Sequence, residues 1–212
     1  MTALTSESAA EFERTITTGG VAIFPTDTLY GIACDPNSQA AADRIYELKG
    51  RPPVKPSAVM FFAVERLLAE LGGDLDQRTR ELAGELFPGP YTLVVANPAR
   101  RYGAACADTP EKLGLRVPKL EGRLAALAEV RVAVMQTSAN RSGGADATAL
   151  EDIDPAITAA VDLVLDGGPL LGYGSTVADV SELDRGRWRL LRAPIPRASG
   201  RLTELIGIPP AD

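Results

Sequence analysis

Two hydrophobic patterns alternate along this chain. Apolar residues at helical spacing predict helices over residues 6–18, 38–48, 76–86 and 120–128, and shorter helices near 67–71, 153–161 and 202–206. Continuous apolar runs predict strands at 21–24, 58–62, 92–96, 114–117, 132–135, 163–165, 175–180 and 188–191. Because helices alternate with strands, we predict an α/β fold. Closely spaced strands near the C-terminus indicate antiparallel pairs, so we expect a single domain (residues 1–212) with a twisted mixed parallel/antiparallel sheet flanked by helices.

Three hydroxyl-rich segments lie beside predicted strands. They are residues 25–31 (PTDTLYG), 136–144 (QTSANRSGG) and 174–177 (GSTV). Ligands of α/β sheets bind beyond the carboxyl ends of strands, so these segments are candidate binding loops. Thr, Ser, Asp and Asn also cap turns through local hydrogen bonds, and each segment taken alone also fits that purely structural interpretation.

Candidate cations follow the second predicted helix. Lys49, Arg51 and Lys55 lie on a segment that contains prolines at 52, 53 and 56. Proline fixes φ and lowers the entropy of a loop, so we expect these charges to be held in place. Preorganised cations beside hydroxyls suit a carboxylate or a phosphate. The alternative is a solvated helix end whose cations interact with the helix dipole.

Two arginines lie within predicted strand sequence. Arg116 and Arg192 are flanked by apolar residues, and a buried guanidinium is costly unless it is paired. A ligand phosphate would pair it. A structural carboxylate, such as Asp27 or Asp166, would do so as well.

Composition excludes several kinds of chemistry. The chain has no histidine and two cysteines, which rules out Ser–His and Cys–His nucleophile pairs and Cys/His zinc clusters. The formal net charge of −6 makes binding to a nucleic-acid backbone a weaker expectation. No apolar run is long enough to span a bilayer, and residues 1–7 lack the features of a signal peptide. We therefore expect a cytoplasmic protein with reduced thiols and no membrane contact.

Taken together, the segments resemble the YrdC-like family, the threonylcarbamoyl-adenylate synthases, in their short, single-domain form. The resemblance covers about residues 15–199 and rests on motifs in a fixed order. These are PTDTLYG at 25–31, KGR at 49–51, PGPYT at 88–92, RVP at 116–118, TSANRSG at 137–143 and STV at 175–177. The resemblance implies the YrdC-like fold, which is similar to the fold of the YrdC/RibB proteins that bind double-stranded RNA.

The resemblance implies an enzyme that condenses L-threonine, bicarbonate or CO2, and ATP. The product would be threonylcarbamoyl-adenylate, released with pyrophosphate and destined for N6-threonylcarbamoyladenosine at position 37 of tRNA. ATP would be a substrate and Mg²⁺ would offset the repulsion between anions. The implied partners are separate threonylcarbamoyl transferase proteins and, at most, a weak contact with tRNA. The alternative is an RNA- or nucleotide-binding protein of the same fold without this synthase activity.

The resemblance also implies roles for individual residues. The candidate catalytic residues are Lys49 and Arg51. The threonine-binding set is Thr28, Tyr30, Lys49, Arg51 and Ser138, and the nucleotide-binding set is Lys55, Arg116, Thr137, Ser138, Asn140, Ser175 and Arg192. Arg192 is followed by Ala193 and Pro194 where the family often has Pro-Gly, so Arg197 is an alternative nucleotide contact. No metal ligand is assigned.

Overall fold

A mixed β-sheet forms the centre of the computed structural model, which describes residues 3–52 and 55–211. Its strands are β1 (Ala22–Pro25), β2 (Tyr30–Cys34), β3 (Ala58–Met60), β4 (Tyr91–Ala96), β5 (Lys112–Arg116), β6 (Val134–Ser138), β7 (Leu163–Val164), β8 (Thr176–Glu182) and β9 (Arg187–Arg192). They lie in the order β7-β1-β2-β6-β3-β5-β4-β8-β9. The pairs β7–β1, β3–β5 and β4–β8 are parallel and the other neighbours are antiparallel, which confirms the predicted mixed sheet.

Helices flank the sheet, as the sequence predicts. They are α1 (Ser6–Thr17), α2 (Gln39–Lys49), α3 (Val64–Leu71), α4 (Gln77–Leu86), α5 (Gly103–Cys106), α6 (Pro155–Thr158) and α7 (Pro196–Ile206), with 3-10 helices at Gly122–Glu129, Leu150–Asp152 and Leu183–Arg185. Within residues 3–52 and 55–211, none of the helices combines the length and apolar character that a membrane crossing requires.

The two faces of the sheet are covered differently. Side chains alternate between faces along each strand, and the face that carries Leu93 and Leu115, here called the packed face, lies against α2 to α7 in one large apolar cluster. The opposite face, here called the open face, packs at one end only. There α1 and the 3-10 helix Gly122–Glu129 cover Phe24 and Met60, and the ring of Phe12 lies 4.9 Å from that of Phe24. The rest of the open face has room for a cavity.

One strand and one α-helix are absent from the sequence-based expectations, as are the short 3-10 helices Leu150–Asp152 and Leu183–Arg185. The strand is β2 (Tyr30–Cys34), because the pattern of 25–31 predicts a binding loop that leads towards a helix. In the structure a tight turn, in which Thr26 N donates to Leu29 O (3.2 Å), folds β2 back onto β1 as a hairpin. The α-helix is α5, a single helical turn that is too short to show a helical period.

Other element bounds differ from the prediction in ways that matter for the site. The strand expected at 132–135 is Val134–Ser138, so the start of the predicted loop 136–144 belongs to β6. The helix expected at 153–161 shortens to Pro155–Thr158, and the one expected at 120–128 is a 3-10 helix at Gly122–Glu129. Residues 53 and 54, within the segment expected to be stiffened by prolines, lie outside the described residues.

Candidate active site

A cavity of about 520 Å³ lies on the open face of the sheet. A row of paired strand residues forms its floor: Gln136 on β6, Ala58 on β3, Gly114 on β5, Val94 on β4 and Asp179 on β8. The three residues in the middle of this row, Ala58, Gly114 and Val94, are small and leave space above the sheet. The two residues at its ends, Gln136 and Asp179, are polar. The volume falls in the range of small-molecule sites.

The end of α2 places two cations beside this cavity. Ser38 caps the start of the helix by accepting a hydrogen bond from Ala41 N, and Gly50 ends it in the left-handed conformation (φ 57°), which glycine adopts without strain. From this turn Lys49 contacts the loop that follows β6, whereas Arg51 contacts β6 itself. The two cations of the K-x-R motif therefore have different partners: Lys49 contacts the loop after β6, and Arg51 contacts β6.

Lys49 is a buried cation with 2% of its surface exposed. Its Nζ donates to the main-chain oxygen of Ser138, to Asn140 O (2.6 Å) and to Asn140 Oδ1 (3.3 Å). An ammonium group has three donors, and these three acceptors occupy them. Burial lowers the pKa of Lys49 to about 8; repulsion from Arg51 acts in the same direction and attraction to Asp146 opposes it. Lys49 does not line the cavity among the described residues.

Arg51 and Arg192 supply positive charge to opposite sides of the cavity. Arg51 donates from Nη1 to Thr137 Oγ1 (2.7 Å) and from Nη2 to Pro56 O (2.7 Å). Arg192 donates from Nε to Ser175 O (2.9 Å) and from Nη2 to Ser175 Oγ (3.0 Å). Neither forms an ion pair with a carboxylate in the described part of the chain. Hydroxyls and carbonyls thus hold both guanidinium groups in place without neutralising them.

Arg116 is paired inside the protein. Its Nη2 donates to Asp27 Oδ1 (2.6 Å), Thr28 Oγ1 (2.5 Å) and Thr26 Oγ1 (3.3 Å), and 5% of its surface is exposed. Asp27 Oδ2 in turn accepts from the main-chain nitrogen of Lys119 (3.0 Å). Asp27 is one of the carboxylates that the sequence suggests, so a structural carboxylate pairs this guanidinium, while its buried Nε has no partner among the described residues. The guanidinium still lines the cavity.

The structure brings most of the predicted site residues together. Those that line the cavity are Thr28, Tyr30, Arg51, Arg116, Thr137, Ser138, Ser175 and Arg192. Ser175, the residue before β8, has its Oγ 2.8 Å from Thr92 Oγ1 on β4, at the wall that carries Arg192. The hydroxyls and guanidinium groups together make a donor-rich wall around an otherwise smooth floor.

Other predicted residues lie apart from the cavity lining. Lys55 and Arg197 are exposed. Asn140 braces its own loop, since its Nδ2 donates to Gly144 O (2.7 Å) and its Oδ1 lies 2.5 Å from Ser138 Oγ. Within residues 3–52 and 55–211, these three side chains are not part of the cavity lining, and neither is that of Lys49. Their proposed contacts with substrates would require a ligand that extends beyond this cavity or a rearrangement of the loops.

Tyr30 contributes to the lining while its hydroxyl is engaged elsewhere. The hydroxyl lies 3.0 Å from Asp166 Oδ1 and accepts a hydrogen bond from Gly167 N (3.0 Å). Burial raises the pKa of Tyr30 to about 12, and the neighbouring Asp166 carboxylate adds to the effect. The phenol therefore stays protonated and ties β2 to the segment after β7.

Several cavity residues were not among the predicted site residues. They are Ser57, Ala58, Thr92, Val94, Lys112, Gly114, Gln136, Asp179 and Leu191. Lys112 Nζ donates to Asp179 Oδ2 (2.7 Å) at the far end of the floor. The alternation of β5, in which Lys112, Gly114 and Arg116 are separated by leucines, is a signal that could have identified one lining strand.

The described residues do not build a magnesium site of their own. Among them, no three His, Cys, Asp or Glu side chains converge closely enough to hold a metal ion. Asp179, which lines the cavity, is paired with Lys112, and Asp27 is paired with the lining residue Arg116. We therefore assign Mg²⁺ no ligand from this chain and derive no reaction step through it.

Comparison with known proteins identifies relatives that match most of this sequence. The Sua5/YciO/YrdC family model, described as telomere recombination, matches residues 14–193. Threonylcarbamoyl-AMP synthase of Mus musculus is 35% identical over 171 residues, which are 77% of this chain and 59% of the mouse protein. The enzyme of the same name from Xanthomonas euvesicatoria is 32% identical over 154 residues, which are 72% of this chain and 82% of that protein. This chain thus spans less than two thirds of the mouse relative's length.

A solved structure shares the fold. Sua5 of Pyrococcus abyssi, in complex with L-threonine, superposes with a TM-score of 0.78 at 24% identity, covering 96% of this chain and 58% of that one. This similarity confirms the predicted YrdC-like α/β fold. Because the family model matches most of the sequence, the chain belongs to the Sua5/YciO/YrdC family.

Proposed function

We propose that this protein is a threonylcarbamoyl-adenylate synthase that condenses L-threonine, bicarbonate or CO2, and ATP. Synthases of this name are 32% and 35% identical to it over most of its length. A relative of the same fold was solved with L-threonine. The product would pass to separate threonylcarbamoyl transferase proteins for tRNA modification.

One observation carries this proposal: two guanidinium groups face the cavity without a carboxylate partner in the described residues. Arg51 is held by Thr137 and Pro56, and Arg192 by Ser175. A protein gains little from unneutralised cations in a cleft unless an anion binds between them. The reaction brings an amino-acid carboxylate and a triphosphate together, which requires positive charge on both sides.

The chemistry then needs positioning rather than a covalent nucleophile. The neutral threonine nitrogen attacks the carbon of CO2, one C=O π bond opens to give the carboxylate, and the nitrogen loses a proton; from bicarbonate the same N–C bond forms as water leaves. An oxygen of the resulting carbamate then attacks the α-phosphorus of ATP. The bond from that phosphorus to the bridging oxygen breaks, and pyrophosphate leaves with its electron pair. We assign Arg51 and Thr28 to the threonine carboxylate, and Arg192, Ser175 and Ser138 to the phosphates. Charge stabilisation and alignment provide the rate enhancement, which agrees with a chain that has no histidine.

Lys49 fits this scheme as a positioning residue. Its ammonium group holds the main-chain oxygens of Ser138 and Asn140. It therefore fixes the end of β6, from which Ser138 reaches the cavity, together with the loop that follows, and Lys49 need not touch threonine itself.

The test is an assay of pyrophosphate release. We expect release from ATP only when L-threonine and bicarbonate are both present, with threonylcarbamoyl-adenylate detected by mass spectrometry. In Arg51→Ala we expect kcat/KM for threonine to fall roughly ten- to hundredfold, since a hydrogen bond to a charged group contributes about 1.5–3 kcal/mol. Arg14→Ala, which removes an exposed arginine of α1 and the same net charge, is the matched control and should leave the kinetics unchanged.

Two results would speak against the proposal. If wild-type protein makes no threonylcarbamoyl-adenylate under these conditions, the synthase assignment fails and the alternative, a binding protein of the same fold, is favoured. If the product forms but Arg51→Ala behaves like Arg14→Ala, the assignment of Arg51 to the threonine carboxylate fails.

A further inference from the structure

Gln136 brings an unengaged amide to the floor of the cavity. The residue is 7% exposed, lies on β6 and lines the cavity. Its side-chain amide forms no hydrogen bond with any other residue in 3–52 and 55–211. Neither amide atom is among the fully enclosed side-chain atoms that lack a partner, so the amide is open to the cavity that Gln136 lines. Its donor and acceptor are therefore available to a molecule in the cavity.

Gly31 provides the space that this amide occupies. A Cβ atom at position 31 would lie 3.3 Å from Gln136 Oε1 and 3.0 Å from a ring carbon of Phe24. Any larger residue on β2 would press on both groups. The absence of a side chain at Gly31 therefore lets the Gln136 amide lie beside β2.

The position of Gln136 across the sheet limits what it can bind. β6 lies three strands away from β4, which is about 14 Å at the usual strand spacing. Thr92 on β4 marks the wall of Ser175 and Arg192. Thr137, the residue after Gln136, is the hydroxyl that holds Arg51. Gln136 thus belongs to the Arg51 end of the cavity, remote from the wall assigned to the phosphates.

We propose that the Gln136 amide binds bicarbonate, or the carbamate formed from it, whose carbon becomes the carbamoyl carbon of the product. This inference rests on the proposed function. A carboxamide offers an acceptor and a donor side by side. Bicarbonate presents an O–H beside a C–O group, and a carbamate presents an N–H beside one, so either forms a planar pair of two hydrogen bonds with the amide. A protonated amine has no acceptor and an ionised phosphate has no donor, so neither matches both functions.

The experiment measures steady-state pyrophosphate release while each substrate is varied in turn. Gln136→Met keeps the approximate volume and removes both hydrogen-bonding functions. We expect KM for bicarbonate to rise about tenfold, as the loss of two neutral hydrogen bonds implies, with KM for threonine and ATP within twofold of wild type. Gln136→Glu keeps the shape but places a negative charge beside an anion, so its KM for bicarbonate should rise further.

Thermal unfolding separates this role from a structural one. Since the Gln136 amide has no partner among the described residues, Gln136→Met breaks no hydrogen bond within them, and its Tm without substrates should equal or exceed that of wild type. A lower Tm in both variants would mean that the amide is paired within the protein and would overturn the proposal. So would an unchanged KM for bicarbonate, equal changes in all three KM values, or a change confined to threonine or ATP.

A binding measurement keeps the inference independent of turnover. Wild-type protein should broaden the ¹³C resonance of labelled bicarbonate, and Gln136→Met should not. Broadening without threonine supports bicarbonate as the bound form, whereas broadening only with threonine supports the carbamate. If wild-type protein releases no pyrophosphate but this difference in broadening persists, the proposed function fails, and only the binding of bicarbonate or carbamate at Gln136 stands. If product forms and the two proteins broaden the resonance equally, the assignment of Gln136 fails alone.

Discussion

The side chains of the packed face form the apolar core, whereas many side chains of the open face line the cavity. Leu115 and Gly114 are adjacent on β5 and point to opposite faces. Leu115 is 1% exposed within the large apolar cluster, whereas Gly114 lies in the cavity floor, where the nearest atoms to an added Cβ belong to Ala58 and Thr92 at 3.4 Å or more. The strands thus stabilise the fold with one set of alternate residues and shape a site with the other.

This division explains why the site residues are small, hydroxylated or charged. On the packed face, filling space is favourable because each buried methylene adds apolar contact. On the open face a larger side chain would occupy the space of a ligand. Substitutions on the two faces should therefore separate stability from binding, and the following predictions test that separation.

The largest effect should come from truncating a packed-face residue. We expect Leu115→Ala to lower the free energy of unfolding by about 2–5 kcal/mol, because it leaves a cavity in a fully packed cluster. Val94→Ala, in the partly exposed floor on β4, should cost no more than about 1 kcal/mol. Urea denaturation monitored by circular dichroism measures both. Equal losses would show that the open face is as closely packed as the other.

A second prediction concerns the buried cation on the packed side, Lys49. Its pKa is lowered to about 8, below the unfolded value of 10.5, so between these pH values the unfolded chain binds more protons at this position. The Lys49 contribution to stability should therefore rise with pH, from about pH 8 to about pH 10.5, by about 3 kcal/mol at most.

The matched comparison is Lys49→Met, which removes the titrating group. The difference in free energy of unfolding, wild type minus variant, should increase between pH 7 and pH 10. Taking a difference cancels the titration of the buried Tyr30 and Cys34, whose raised pKa values act in the opposite direction on both proteins. A difference that stays constant with pH would mean that the pKa of Lys49 is not lowered.

The smallest effect is expected at the border between the two faces. Ala107 follows α5 with φ 50° and ψ −126°, a region that is normally restricted to glycine. Ala107→Gly should relieve strain of about 1–3 kcal/mol and lose about 0.5–1 kcal/mol through backbone entropy, for a net gain of about 1 kcal/mol.

Ala104→Gly in the preceding helical turn is its control and should be destabilising. Thr109, two residues beyond Ala107, lines the cavity. If Ala107→Gly gains stability but loses synthase activity, the strain serves the open face. If stability falls, the backbone at Ala107 is not strained.

Sequence patterns predicted the packed face better than the open one. Leu93 and Leu115 belong to apolar runs that predict strands. Gly114 lowers the strand propensity of its segment, and its place in the cavity floor becomes clear only once its neighbours Ala58 and Val94 are known. The floor depends on which strands are adjacent, and that order is set by long-range packing rather than by local sequence. The ordered motifs singled out Arg51 and Ser175 by residue type, and the structure places both in the lining of the cavity.

The task of Lys49 illustrates the other limit of sequence reasoning. Its acceptors include the main-chain oxygens of Ser138 and Asn140, which lie far away in the chain. Every residue has a carbonyl oxygen, so no residue type marks these positions as partners of a lysine. The motif indicated a functional cation, while the choice between substrate and backbone as its partner required the fold.

The strand order has a consequence for how the protein acquires its site. β6 lies between β2 and β3, and β8 lies beside β4, so the floor joins strands from opposite halves of the chain. Pairings so distant in sequence form only after long loops have closed, which slows folding. During synthesis β1 to β5 emerge before the strand that separates β2 from β3 exists. The cavity floor can therefore form only after β6 and β8 have joined the sheet, and binding of a substrate reports that strands from both halves of the chain have paired.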